Sequence, residues 1–279
     1  MDGKTCVVTG ANAGIGKATA TGLAKRGARV IMVCRDRGRG EAARAEVARE
    51  SGSDRVELRL GDLSSLADVR RLASELAGEE RIDVLLNNAA IMPRGRETSA
   101  DGHELQFAVN HLAPFLLTTS LLDRLKASAP ARVVTVASNA HRKGVIDFDD
   151  LDAERGYDSR LVYCTTKLMN VLFTRELARR LDGTGVTANC LHPGVISTTL
   201  LRQYFPPLGP FAFLTNLFFK SPEDGAKTSI WAATAPELDG VSGRYLSDEA
   251  IAEAEPRGRD DAVAKRLWDV SEELCGRVG

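Results

Sequence analysis

Short apolar strands alternate with longer amphipathic helices along almost the whole chain, and the first strand runs straight into a glycine-rich loop. Cys6-Val7-Val8 reads as a strand, the loop follows, and a helix runs through Ala18 to Lys25. Val30 to Val33 is a second strand, before a charged helix from about Gly40 to Glu50. Val56 to Leu60 is a third, before a helix from about Ser64 to Leu76. Ile82 to Leu86 is a fourth. A helical stretch from about Glu104 to Lys126 precedes the fifth, Val133 to Val136, and a helix from about Leu161 to Leu181 precedes the sixth, Val186 to Leu191. Continuous β-branched runs suit strands buried on both faces of a parallel sheet. Repeated strand–helix units with right-handed crossovers wind such strands into a doubly wound sheet. The expected fold is α/β, a doubly wound parallel sheet with helices on both faces. No low-complexity linker or fixed-period repeat marks a boundary, so residues 1–279 are read as a single domain.

Composition narrows the function classes. With 279 residues, 43% of them hydrophobic, the chain can bury a sizeable core without disulfides or metals. Lys plus Arg number 37 and Asp plus Glu 38, a net charge of −1, which argues against nucleic acid or an anionic membrane surface as the main partner. Cys6, Cys34, Cys164, Cys190 and Cys275 are scattered, with no CxxC pair, so neither a zinc site nor a disulfide framework is expected. No secretory signal is visible at the start. The most apolar segment, Phe211 to Phe219, is too short to span a bilayer. These features give the expectation of a cytoplasmic protein with no integral membrane segment.

The loop reads Thr9-Gly10-Ala11-Asn12-Ala13-Gly14-Ile15-Gly16. Its glycines let backbone approach a pyrophosphate, which then sits at the positive end of the following helix. The spacing is G-x3-G-x-G rather than G-x-G-x-x-G, but its place between first strand and first helix fits a Rossmann-type dinucleotide site. The end of the second strand bears on which dinucleotide is bound. An acid there would hold a free ribose 2′-hydroxyl. The chain has Val33-Cys34-Arg35-Asp36, so Cys34 is neutral and Arg35 is suited to gripping a 2′-phosphate. Lys17 is available as a second positive charge. This favours NADP(H), the alternative being that Asp36 takes the ribose and Arg35 is merely solvated.

Tyr163 and Lys167 lie four apart on a predicted helix and face the same way. A phenol titrates near pH ~10. A neighbouring ammonium favours the phenolate and lets tyrosine exchange a proton near neutrality. Ser138 follows the fifth strand, at the carboxyl edge where ligands bind such sheets. His141, just beyond it, is read as structural, since no metal-ligand partner is visible.

Together these motifs resemble the short-chain dehydrogenase/reductase family over nearly the whole chain. Thr9 to Gly16 is similar to its cofactor loop, Asp62-Leu63 to its adenine-contacting pair, and Asn87-Asn88-Ala89-Ala90 to its Asn-Asn-Ala-Gly stretch. Asn110, Ser138, Tyr163 and Lys167 fall on its catalytic tetrad, and Pro193-Gly194 on the turn that holds the nicotinamide. Within the family the chain resembles the retinol dehydrogenase group, through Tyr163 to Leu177, Leu191-His192-Pro193-Gly194-Val195, Ser242-Gly243-Arg244-Tyr245 and Leu267-Trp268. That resemblance implies NADP(H) and a lipophilic aldehyde, ketone or alcohol as substrate. It implies cofactor contacts at Gly10, Asn12, Gly14, Ile15, Gly16, Asn88, Ala89, Tyr163, Lys167, Pro193, Gly194, Val195 and Thr198, with Ser197 and Thr199 chemically equivalent to Thr198. Asn110 would hold a water linking Lys167 to solvent, and it stands shortly before Pro114, which removes a helix hydrogen bond. Ala90 departs from the family's glycine.

Tyr204, Phe205, Phe211, Phe213, Phe218 and Phe219 crowd the segment after the Pro-Gly turn. A substrate lid is expected around residues 197–222, where such rings would favour an apolar substrate and exclude water. A subunit contact or shallow membrane contact would use the same rings. Leu161, Leu168, Val171 and Leu172 on the Tyr163 helix would pack on the sheet or help build a homodimer. The expected activity is a carbonyl reductase/alcohol dehydrogenase. The rivals are a ketoreductase tailoring a steroid or secondary metabolite and a non-catalytic NADPH-sensing module.

Overall fold

The computed structural model describes residues 1–194 and 221–276. Eight strands form one sheet: β1 Thr5–Thr9, β2 Arg29–Cys34, β3 Val56–Leu60, β4 Val84–Asn87, β5 Ala131–Val136, β6 Val186–His192, β7 Tyr245–Ser247 and β8 Ala250–Ala252. Their order is β3-β2-β1-β4-β5-β6-β7-β8. Every neighbouring pair is parallel except β7 with β8. The order reverses between β1 and β4, and the crevice above the carboxyl ends at that switch point is where a sheet of this kind takes its ligand.

Both faces of the sheet are covered, as the unbroken apolar runs require. On one face Cys6, Val8, Val30, Met32, Val84 and Leu86 pack with Leu23 and Ala20 of helix α1, Gly14–Lys25, and with Ala232 and Ala233 of α8, Pro222–Thr234. On the other, Val7, Ile31, Leu85 and Val133 meet Val69 and Leu72 of α3, Leu66–Ala77, and Leu172 and Phe173 of α7, Ser159–Arg180. Trp268 of α9, Asp261–Leu274, completes that side against Phe115 and Phe173. The five cysteines are free, and Cys6, Cys34, Cys190 and Cys275 are buried as small apolar groups.

Helix boundaries follow local chemistry. Asp36 caps α2, Arg37–Ser51, by accepting from Arg39 N at 2.8 Å, so the helix starts before the expected Gly40. Asp158 caps α7 through Arg160 N and Leu161 N. The stretch from Glu104 to Lys126 is not one helix. It divides into α4 Leu105–Phe107, a wide π turn Ala108–Leu112, α5 Ala113–Ser120 and α6 Leu122–Ala127. Pro114 has no N–H to give the Asn110 carbonyl one turn back, and Ala113 N reaches Ala108 O in the wider pattern.

Of the expected lid, only Ser221 and Pro222 are described. They cap and begin α8, so that end of the segment is helix start. The rest, with Val195, Thr198 and the aromatic run 204–219, lies outside the described residues. Leu168, Val171 and Leu172 are buried against the sheet, whereas Leu161 is 48% exposed. Among the described residues no helix is long and apolar enough to cross a membrane, and no group of His, Cys, Asp and Glu is arranged to hold a metal ion.

Candidate functional site

The glycine loop is built by close approach. Gly10 leaves β1 with φ +64°, and a Cβ there would stand 2.9 Å from the Ala89 Cα. A Cβ on Gly16 would lie 2.4 Å from the Gly10 carbonyl oxygen and 2.5 Å from Asn88 Nδ2. Gly14, at φ +53°, meets nothing within 4 Å, so the space in front of the first turn of α1 is open. Ala13 at its N-cap offers no side-chain oxygen, which leaves the first N–H groups of the helix to a ligand. Thr9, the first residue of the loop, clips it in place. Its Oγ1 accepts from Asn88 N at 3.0 Å and Ala89 N at 3.1 Å, while Asn88 Nδ2 donates to Thr9 O at 2.8 Å.

A cavity of about 700 Å³ runs along the carboxyl ends of the strands. Gly10, Asn12, Gly14, Ile15, Gly16, Arg35, Asp62, Leu63, Asn88, Ala89, Ser138, Tyr163, Lys167, Pro193 and Gly194 all line it. Sequence reasoning missed Ile91, Met92, Val109 and Arg160 in the same lining. Arg160 was within reach of it, since it precedes Tyr163 by three residues on one helix face.

At the β2 end, Arg35 is exposed and lines the cavity. Asp36 points its carboxylate back to Arg39, whose N–H holds its pKa below the usual carboxylate value. That use as a helix cap weighs against Asp36 as the ribose ligand. Lys17 is engaged elsewhere: its Nζ lies 2.6 Å from Glu46 Oε2, and it does not line the cavity. The expected second positive charge is therefore neutralised by α2. Asp62 accepts from Ser64 N at 2.9 Å and Ser64 Oγ at 2.7 Å, which stiffens the turn after β3.

At the other end, Ser138 follows β5 and caps a short 3₁₀ turn, Asn139–Lys143, accepting from Ala140 N at 3.1 Å. Tyr163 shares the cavity wall with Ser138. One turn along α7, Lys167 is 1% exposed, donates to Val136 O at 2.8 Å, and holds its Nζ 5.5 Å from the centre of the Tyr163 ring. Burial pushes the Lys167 pKa down to about 7. Burial pushes the Tyr163 phenol up, the adjacent Cys164 adds to that, and the Ser138 side chain pulls it back. The pair thus sits as a neutral phenol beside a lysine that exchanges its proton near neutrality.

Asn110 stands behind this pair rather than in the lining. Its Oδ1 accepts from Ile91 N at 2.8 Å, and its Nδ2 donates to Ile91 O at 3.0 Å and Thr166 Oγ1 at 3.2 Å. The side chain therefore ties the loop after β4 to α7.

Comparison with known proteins agrees with this arrangement. The family model for short chain dehydrogenases matches residues 4–208. The chain is 48% identical over 293 residues to Retinol dehydrogenase 14 of Homo sapiens, covering 99% of this chain and 87% of that protein. It is 47% identical over 277 residues to Retinol dehydrogenase 12 of Homo sapiens, with the same coverage of each chain, 99% and 87%. Among solved structures, an uncharacterised protein from Mycobacterium Paratuberculosis superimposes with a TM-score of 0.81 at 37% identity, over 98% of this chain and 94% of that one. The Pseudomonas aeruginosa RhlG/NADP active-site complex superimposes with a TM-score of 0.70 at 27% identity, over 89% and 95%. The chain belongs to the short chain dehydrogenase family. It is an NAD(P)-using oxidoreductase that acts on the CH–OH group of its donors.

Proposed function

We propose that this enzyme uses NADP(H) to interconvert a lipophilic aldehyde or ketone and its alcohol, a retinal-type aldehyde being the first substrate to try. The observation that carries the reading is Ser138 and Tyr163 together on the wall of one cavity, with Lys167 one turn along α7, where the lining also includes Ile91, Met92 and Val109. The retinol dehydrogenase relatives support the choice of substrate class. Arg35 on the cavity wall, with Asp36 spent on the α2 cap, supports the phosphorylated dinucleotide.

The open cradle before α1 fits a pyrophosphate. Gly10, Asn12, Gly14, Ile15 and Gly16 would hold it, Arg35 the 2′-phosphate and Asp62 and Leu63 the adenine. Asn88, Ala89, Pro193 and Gly194, with Val195, would hold the nicotinamide half, and Thr198 would contact the pyrophosphate. When bound, the reduced nicotinamide supplies a hydride to the carbonyl carbon. Ser138 donates a hydrogen bond to the substrate oxygen and fixes its direction. Tyr163, kept neutral by burial, gives that oxygen its proton as the alcohol forms. Lys167, poised near neutrality, holds a positive charge beside the resulting phenolate and feeds the proton back. Apolar wall residues exclude water from the reacting centre.

The test follows reduced-nicotinamide absorbance with NADPH and then NADH, against all-trans-retinal, a medium-chain aldehyde and a bulky cyclic ketone. Faster oxidation of NADPH with retinal or the aldehyde is expected. Activity on the ketone alone would replace the aldehyde with a tailoring substrate. Tight NADPH binding with no turnover of any of the three would sink the catalytic reading.

A further inference from the structure

His141 lies three residues past Ser138 and is fully buried, yet both of its ring nitrogens are used. Nδ1 sits 2.6 Å from the Ser138 carbonyl oxygen, which can only accept. On the other side Nε2 accepts from the backbone N–H of Glu255 at 3.1 Å. One partner demands a donor and the other an acceptor, so the ring is neutral with its proton on Nδ1. Burial also holds its pKa below the ordinary histidine value, with Arg142 acting in the same direction.

The two partners belong to distant parts of the chain. Ser138 follows β5, and Glu255 belongs to the strap between β8 and α9. Two further bonds hold the turn that follows Ser138: Tyr245 Oη of β7 donates to Asn139 Oδ1 at 2.9 Å, and Arg257 Nη1 of the strap donates to Gly144 O at 3.3 Å. The far end of the turn is pressed on α7 beside Tyr163. A Cβ on Gly144 would lie 2.6 Å from the Cys164 carbonyl oxygen, and Thr165 Oγ1 donates to Val145 O at 2.9 Å. The 139–145 turn is thus clamped between the C-terminal strap and the helix that carries the phenol.

We propose that His141 is the positioning residue that sets Ser138 against Tyr163, bolting the serine's backbone to the strap at Glu255. The inference rests on the reading of Ser138 as the group that directs the substrate oxygen, and goes beyond it by naming what holds that group. Without the ring, the Ser138 carbonyl loses its Nδ1 donor and the Glu255 N–H its acceptor, and the Ser138 end of the turn shifts against Tyr163 while Asn139, Gly144 and Val145 keep their own bonds.

The experiment compares His141→Leu with His141→Asn, whose amide nitrogen can still donate to the Ser138 carbonyl. His141→Leu should lower turnover about 10- to 100-fold, the cost of a small displacement at a reacting centre. NADPH affinity should stay within about twofold of the parent, since none of the moved atoms lies in the glycine loop. His141→Asn should recover most of the turnover. In alcohol oxidation the pH profile of His141→Leu should move to more alkaline pH, because the Ser138 side chain, which lowers the Tyr163 pKa, is displaced from it. A purely structural role would leave that profile in place. Parental turnover and profile in His141→Leu, or equal loss in both variants, would overturn the proposal.

Amide hydrogen exchange decides the matter without any substrate. Exchange in His141→Leu should be faster at residues 138–144 and at Glu255, while that of α1 is unchanged; no local change would overturn the proposal. If turnover is absent in the parent protein, the functional reading fails and this measurement still judges the bolt. Should His141→Leu not fold, nitrogen NMR of the wild-type imidazole serves instead. A single, exchange-protected Nδ1–H tautomer is expected, and a freely exchanging or mixed ring would refute it.

Discussion

Replacing Lys167 by methionine should stabilise the protein and silence it together. Lys167 is 1% exposed, and burial takes its pKa from the ordinary 10.5 to about 7. At about 1.4 kcal/mol per pH unit, that gap makes seating the lysine cost about 5 kcal/mol at neutral pH and below. Methionine keeps an unbranched apolar stem but removes the donor to Val136 O, which offsets about 2 kcal/mol of the gain. The net stabilisation is about 3 kcal/mol, or a rise in Tm of about 6–12 °C for a chain of this size. The sign follows from proton binding. Between about pH 7 and 10 the unfolded wild-type chain binds a proton that the folded one does not, so wild-type stability climbs with pH across that window and is level below it. The advantage of the variant is therefore largest at about pH 6, vanishes near about pH 9, and is reversed by about pH 10, where the lost Val136 bond outweighs the remaining burial cost. Thermal unfolding of both ligand-free proteins at about pH 6, 8 and 10 measures this. A variant that is less stable at every pH, or a gain that does not shrink with pH, would refute the burial argument. Loss of turnover in a more stable protein is the trade expected when an active site holds a charge in a place that folding alone would not choose.

Three further outcomes are expected. Tyr163→Phe keeps the ring and removes the proton, so turnover should fall by about 10²-fold or more with NADPH affinity unchanged; stopped-flow absorbance and equilibrium binding separate the two, and parental turnover would remove Tyr163 from the mechanism. Arg35→Ala should weaken NADPH binding by about 10- to 100-fold, the worth of a charge-assisted contact to a phosphate, and leave NADH nearly untouched. Titration with each dinucleotide checks this, and equal losses would take Arg35 out of the phosphate site. Gly16→Ala should abolish tight dinucleotide binding and cost stability of about 1–3 kcal/mol, because its methyl would sit 2.4 Å from the Gly10 carbonyl oxygen; parental affinity would show that the loop can give way.

Much of the architecture was legible because its causes are local. Six strands, the helices after them and the loop between β1 and α1 follow from unbroken β-branched runs and glycine spacing, which physics reads one segment at a time. The departures have local causes too. The helix expected from Glu104 to Lys126 breaks where Pro114 withholds its N–H from Asn110. β7 and β8 are only three residues each, too short to show a period, and take their place by pairing with β6 and with each other.

The sequence by itself determined which groups are available: a glycine cradle, an Arg35 after β2, and a Ser138, Tyr163 and Lys167 in a fitting order along the chain. Their spacing along a helix face was enough to put the phenol and the ammonium side by side. Only the tertiary structure decided which of them are free to act and in what charge state. Lys17 and Glu46, 29 residues apart, meet across α1 and α2 and remove one expected cation from the cofactor end. Asp36 is drawn into capping its own helix. Lys167 loses its ordinary basicity because the sheet and α7 close over it, and His141 finds its second partner 114 residues away. Desolvation and long-range hydrogen bonds depend on what surrounds a side chain in three dimensions, and adjacency along the chain does not record that.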